Sequence, residues 1–104
     1  MENNKYTIKY SSTFINQFNN ILKYFVHKLK NKIAAENFYN EVIKEIETRS
    51  KNPENYEKYL STRKRKNSYY RIYVKNYIIF YIVKDTTMEI RRILYSKRNF
   101  DKLI

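Results

Sequence analysis

The side chains of this chain that could do chemistry are nearly all cations: 22 Lys and Arg stand against 10 Asp and Glu, one His and no Cys. His27 is the one group that ordinarily titrates near neutrality and so the natural general base. It sits on the polar side of a helical pattern, far in sequence from the basic block, and reads as a solvated surface residue. No HExxH, CxxC, paired-carboxylate or glycine-rich phosphate motif occurs, so metal-dependent hydrolysis and nucleotide binding lack their usual ligands, and no metal or cofactor is expected. Absent cysteines remove disulfides and thiolate metal sites as well. The chemistry left is recognition of something anionic.

The distribution of charge says more than its total of +12. Residues 1–57 hold 9 Lys/Arg against 7 Asp/Glu, whereas residues 58–104 hold 13 against 3. A codon bias toward lysine would raise both halves, so a skew this local points to a functional basic face and an anionic partner. Its candidate residues are Arg63, Lys64, Arg65, Arg71, Arg92, Lys97 and Arg98. Arg91 and Arg92 are neighbours in a strand pattern, which places them on opposite sides and lets only one serve a given face. The 12 tyrosines could form a base-stacking platform. Their concentration in strand patterns is better explained by β propensity, with hydroxyls reaching the rim.

The elements that must position these cations follow from periodicity. Tyr6, Ile8 and Tyr10 alternate with polar residues in a half-buried strand, and Ser11-Ser12-Thr13 then offers N-caps. Phe14, Phe18, Ile21, Leu22, Phe25 and Leu29 draw one apolar stripe down a first helix, opposite Asn16, Asn20, Lys23, His27 and Lys30. A break at Asn31-Lys32 leads into a second helix, roughly Ala34 to Lys51, with Ala34, Phe38, Val42 and Ile46 at i+4 steps. Asn52-Pro53 ends it, because the residue before proline is driven from the α region. The two helices form a hairpin.

Glu54 to Ser68, including Arg63-Lys64-Arg65-Lys66, reads as a loop or a frayed edge segment. Tyr69–Val74 is a strand, and Lys75-Asn76 a two-residue turn with the positive φ expected at Asn76, since the chain has no glycine. Tyr77–Val83 is apolar almost throughout, as a central strand covered on both faces should be. Lys84-Asp85-Thr86-Thr87 turns the chain into Met88–Tyr95, and Lys97–Ile104 has room for a short helical segment. The order β-α-α-β-β-β describes one α+β domain spanning residues 1–104: an N-terminal strand, a helical hairpin, and a three-stranded antiparallel meander. The expected sheet is antiparallel, with the hairpin on one face. No apolar run approaches the ~18 residues of a membrane span, and Met1-Glu2-Asn3-Asn4 does not begin a secretory signal, so a cytoplasmic protein with no membrane partner is expected.

The segment Ile93-Leu94-Tyr95-Ser96-Lys97-Arg98-Asn99-Phe100 resembles the I-L-H-G-R-R-D-L of ParE-like members of the RelE/ParE toxin superfamily, from type II toxin–antitoxin modules. Ala34-Ala35-Glu36-Asn37-Phe38 resembles the A-A-E-R-F that opens the second helix there, and Lys51-Asn52-Pro53-Glu54 its N-P-E ending. The ordered set covers nearly the whole chain, and the family's fold is the β-α-α-β-β-β arrangement just described. The resemblance implies a toxin held inactive by a cognate acidic antitoxin that folds upon it. In the mRNA-cleaving branch, basic residues on the sheet stabilise a pentavalent phosphate. Arg71 and Arg98 match two such positions, and Tyr95 stands where ParE-like members have histidine. Where that branch commonly has arginine after Tyr77, this chain has Ile78, and no Tyr or His follows Arg98 as proton donor.

Three functions follow. A ParE-like toxin would arrest growth by poisoning DNA gyrase, a protein target. A RelE-like enzyme would cut mRNA on the ribosome, with Arg71, Arg98 and Tyr95 as candidate catalytic residues and Arg91 or Arg92 replacing the cation missing at Ile78. A non-toxic basic module would bind RNA or DNA with steep salt dependence. The incomplete constellation favours the first.

Overall fold

A computed structural model describes residues 6–59 and 68–97 of the chain. Strand β1 (Thr7–Tyr10) leads into α1 (Ser12–Lys23), whose first turn is capped by the Ser11 hydroxyl accepting from Phe14 N–H at 3.0 Å. A π-helical turn, Tyr24–Lys28, extends α1, and α2 runs from Lys32 to Arg49 behind an Asn31 cap that accepts from Ala34 N–H at 2.9 Å. The expected break thus falls at Lys30-Asn31, with Lys30 in the left-handed region at φ 55°. Each i→i+5 bond of a π turn adds a residue per turn and rotates the face that follows. That is why the expected apolar stripe ends at Phe25: Leu29 is 51% exposed.

Four more strands complete the sheet: β2 (Lys58–Tyr59), β3 (Tyr69–Val74), β4 (Tyr77–Lys84) and β5 (Thr87–Tyr95). Their spatial order is β1-β5-β4-β3-β2. Neighbours pair antiparallel except β1 and β5, which run parallel with Thr7 beside Thr87 and Tyr10 beside Ile90. The sheet is therefore mixed rather than wholly antiparallel. A parallel pair needs a long crossover between its strands, and the helical hairpin begins that crossover. The two-residue strand β2 lies in the segment expected to be loop or frayed edge. In the Lys75-Asn76 turn the positive φ falls on Lys75 (53°), not on Asn76. The expected helical segment at the C-terminus falls beyond residue 97, outside the described residues.

The main core lies between the hairpin and one sheet face. Phe38, Val42 and Ile46 of α2 and Phe14 and Phe18 of α1 pack with Ile72, Val74, Ile79, Tyr81, Met88, Ile90 and Ile93. A line of rings runs through it: Tyr10 to Phe14 at 5.6 Å, Phe14 to Phe18 at 5.5 Å, Phe18 to Phe38 at 6.0 Å and Phe38 to Tyr77 at 5.2 Å. Of these, the buried rings of Phe14, Phe18 and Phe38 each contribute roughly 2–3 kcal/mol. Tyr69, Ile78, Phe80, Ile82 and Leu94 form a second buried cluster on the far face, so β4 is covered on both sides as its sequence implies.

Candidate binding face

Sheet register decides which cations share a surface. Residues directly opposite in neighbouring strands point to the same face. Arg71 of β3 lies opposite Phe80 of β4, and Phe80 lies opposite Arg92 of β5. Phe80 belongs to the far-face cluster, so Arg71 and Arg92 flank it there, away from the helices. A long cationic side chain beside a buried ring covers apolar surface with its stem and keeps its charge at the rim. Arg71 also lies beside Tyr73 on this face, its guanidinium carbon 5.8 Å from the ring centroid.

The expectation for Arg91 fails for a physical reason. Phe80 pairs with Arg92, but the next residue, Tyr81, pairs with Ile90, so β5 carries one extra residue at a bulge. Ile90 and Ile93 both enter the helix-side core across this bulge. Arg91 and Arg92 are therefore brought together instead of being sent to opposite sides. Arg91 Nη1 lies 3.5 Å from Oε1 of Glu89, which pairs with far-face Ile82. Lys9 of β1 lies opposite Glu89 and adds a fourth cation to this side. Arg92 Nε is buried and finds no hydrogen-bond acceptor among the described residues.

The strip between these cations is apolar. Ile78 stands between Tyr73 of β3 and Leu94 of β5, where the enzymatic branch would need an arginine. Tyr95 pairs with Tyr77, whose ring packs on Phe38 at 5.2 Å, so Tyr95 belongs to the helix side and not with Arg71. Lys97 is exposed just past β5, and His27 is exposed on the π turn. Arg63, Lys64, Arg65 and Arg98 lie outside the described residues. Among the described residues no cluster of three His, Cys, Asp or Glu could hold a metal, and no helix is long and apolar enough to cross a membrane.

Two positions with structural consequence escaped the sequence reading. Arg49, at the end of α2, donates from Nη1 to the Arg71 carbonyl at 3.0 Å and to the Tyr81 hydroxyl at 3.1 Å. It is the only arginine in the first 57 residues, which was its signal. Gln17, the only glutamine, accepts from Ile93 N–H through Oε1 at 2.9 Å, capping a β5 edge that β1 does not reach. Beside that edge a cleft of about 570 Å³ opens between α1 and the end of β5.

These features define an α+β protein whose mixed sheet carries a helical hairpin on one face and a cation-flanked apolar strip on the other. A family profile described as the ParE toxin of the type II toxin–antitoxin system, parDE, matches residues 8–100, and the chain belongs to that family. A solved structure of the chromosomal ParDE TA system from P. aeruginosa superposes with a TM-score of 0.73 at 10% identity, over 90% of this chain and 99% of that one. That likeness is one of fold. No curated protein sequence matches this chain.

Proposed function

We propose that this chain is a cytoplasmic toxin that arrests growth by binding and poisoning DNA gyrase, and that an acidic antitoxin holds it inactive. The observation that carries a protein target is the composition of the far face. Ile78, buried between Tyr73 and Leu94, stands where phosphodiester chemistry would need a cation, and Arg71, Arg91 and Arg92 lie only at the borders. Cations confined to a rim suit an acidic protein surface, whereas a phosphodiester in the course of cleavage needs them at the centre. The test is a supercoiling assay with purified toxin and gyrase. Inhibition at stoichiometric toxin is expected, and full supercoiling at that level would remove this reading.

One observation favours ribosome-dependent mRNA cleavage instead: the bulge brings two arginines onto the face that Arg71 occupies. In that reading Arg92 supplies the cation that Ile78 cannot. Toeprinting of translating ribosomes separates the two, since the enzyme predicts A-site cuts that disappear in Arg92→Ala.

A further inference from the structure

β1 stops pairing with β5 at Ile90, while β5 continues to Tyr95. Past that point α1 takes over the outer edge of β5. The Ser11 hydroxyl donates to the Arg91 carbonyl at 2.9 Å, and Gln17 accepts from Ile93 N–H at 2.9 Å. Backbone groups repeat their direction every second residue along a strand, so Tyr95 N–H points outward with that of Ile93. The inward partner positions agree: Ser96 N–H donates to the Asn76 carbonyl at 2.8 Å. No described residue accepts from Tyr95 N–H. Among the described residues the edge therefore ends in an open ladder position.

Next to it lies the cleft, walled by Asn20, Ile21 and Tyr24 on one side and by Tyr77, Ile93 and Tyr95 on the other. Its walls come from elements that hold no Asp or Glu in α1, the π turn or β4, and only Glu89 in β5, already engaged by Arg91. Lys23 and Lys97 stand exposed nearby in sequence. The other side of the same edge presents Arg91 and Arg92, the latter with a buried Nε that finds no acceptor among the described residues.

We propose that the end of β5 is a strand-addition site for an extended partner segment that alternates apolar and acidic side chains. It continues the sheet where β1 leaves off. Its backbone pairs with Tyr95, its apolar side chains enter the cleft, and its carboxylates meet Arg91 and Arg92 on the far face. Main-chain pairing supplies affinity and the alternate pockets supply specificity. A second copy of this chain is a poor occupant, because both partners would bring the same +12 charge. The proposal rests on the toxin reading, in which the acidic partner is the antitoxin.

The probe is the purified product of the reading frame adjacent to this one, titrated by calorimetry into the full chain and three variants. Tyr95→Pro deletes the outward donor without touching a β4 bond, Tyr24→Glu places a negative charge on the cleft wall, and Arg92→Gln removes the far-face cation. Each is expected to weaken binding at least about tenfold, with thermal melts confirming folded variants. Amide exchange at Tyr95 is expected to slow in the wild-type complex, a readout independent of any substitution. Wild-type binding with unchanged exchange at Tyr95 and all three variants within about twofold would overturn the site and leave the toxin reading standing. No binding by the wild-type chain would overturn both. Self-association of the chain alone, lost in Tyr95→Pro, would give the edge to a second copy and also overturn it.

Discussion

The guanidinium of Arg49 donates to the Tyr81 hydroxyl at 3.1 Å, joining the last turn of α2 to the middle of β4. The Tyr81 hydroxyl in turn donates a hydrogen bond to the Pro53 carbonyl at 2.7 Å, and the Tyr56 ring centroid lies 3.6 Å from the Arg49 guanidinium. One cation thus fixes the helix end, the loop after it and, through the Arg71 carbonyl, strand β3. Tyr81→Phe leaves the Pro53 carbonyl and one Arg49 hydrogen unpaired. It should cost about 1–3 kcal/mol, read as a lower urea midpoint with an unchanged slope. Arg49→Ala loses both hydrogen bonds and the ring contact, and should cost more.

Burial holds the Tyr81 hydroxyl up at about 12, against a smaller opposing pull from Arg49. Because the folded chain resists ionisation longer than the unfolded one, its stabilising effect is whole below pH 10. It fades as pH climbs from about 10 to about 12. Two units correspond to roughly 2–3 kcal/mol. Burial raises Tyr10, Tyr70 and Tyr77 in the same direction. Urea midpoints measured across that window should fall in the wild-type protein, and fall less in Tyr81→Phe. Equal slopes for both would show that Tyr81 ionises as freely folded as unfolded.

Local patterns carried much of this fold and little of the site. The stripe from Phe14 to Phe25 and the run from Tyr77 to Val83 announced their elements because burial imposes its period directly. The parallel pairing of β1 with β5 did not, since alternation at Tyr6, Ile8 and Tyr10 records a face and not a direction. Leu29 misled because a π turn leaves no mark in an i+4 stripe. Arg91-Arg92 misled more seriously: strict alternation holds only without a bulge, and the bulge appears only once Tyr81 is matched to Ile90. The pairing of Arg71 with Arg92 across Phe80 is likewise a fact of register, invisible until three strands are aligned.

The bulge offers its own test. Removing Arg91 leaves Ile90, Arg92, Ile93 and Leu94 in regular alternation, with both isoleucines still facing the helices. The deletion should fold, losing the Ser11–Arg91 hydrogen bond at a cost of about 1 kcal/mol. Removing Ile79 from the facing strand has no such compensation: its neighbours turn to the wrong faces and the core is lost. Circular dichroism melts on the two deletions should give one cooperative transition and none. Two unfolded proteins would mean that the extra residue is structurally required.

Arg92 poses a sharper question, because its environment counts against it. A buried N–H without an acceptor costs roughly 1–3 kcal/mol, and an apolar side chain of similar shape would avoid that cost. Arg92→Met keeps the stem beside Phe80 and removes the unsatisfied donor. It is expected to raise the urea midpoint, a gain of about 1 kcal/mol. If the fold alone governed this position, nothing else should change. If the guanidinium serves a partner, the same substitution should weaken binding of the acidic protein and growth arrest on induction. A more stable but harmless chain would assign Arg92 to recognition, whereas a less stable one would show that its charge serves the sheet.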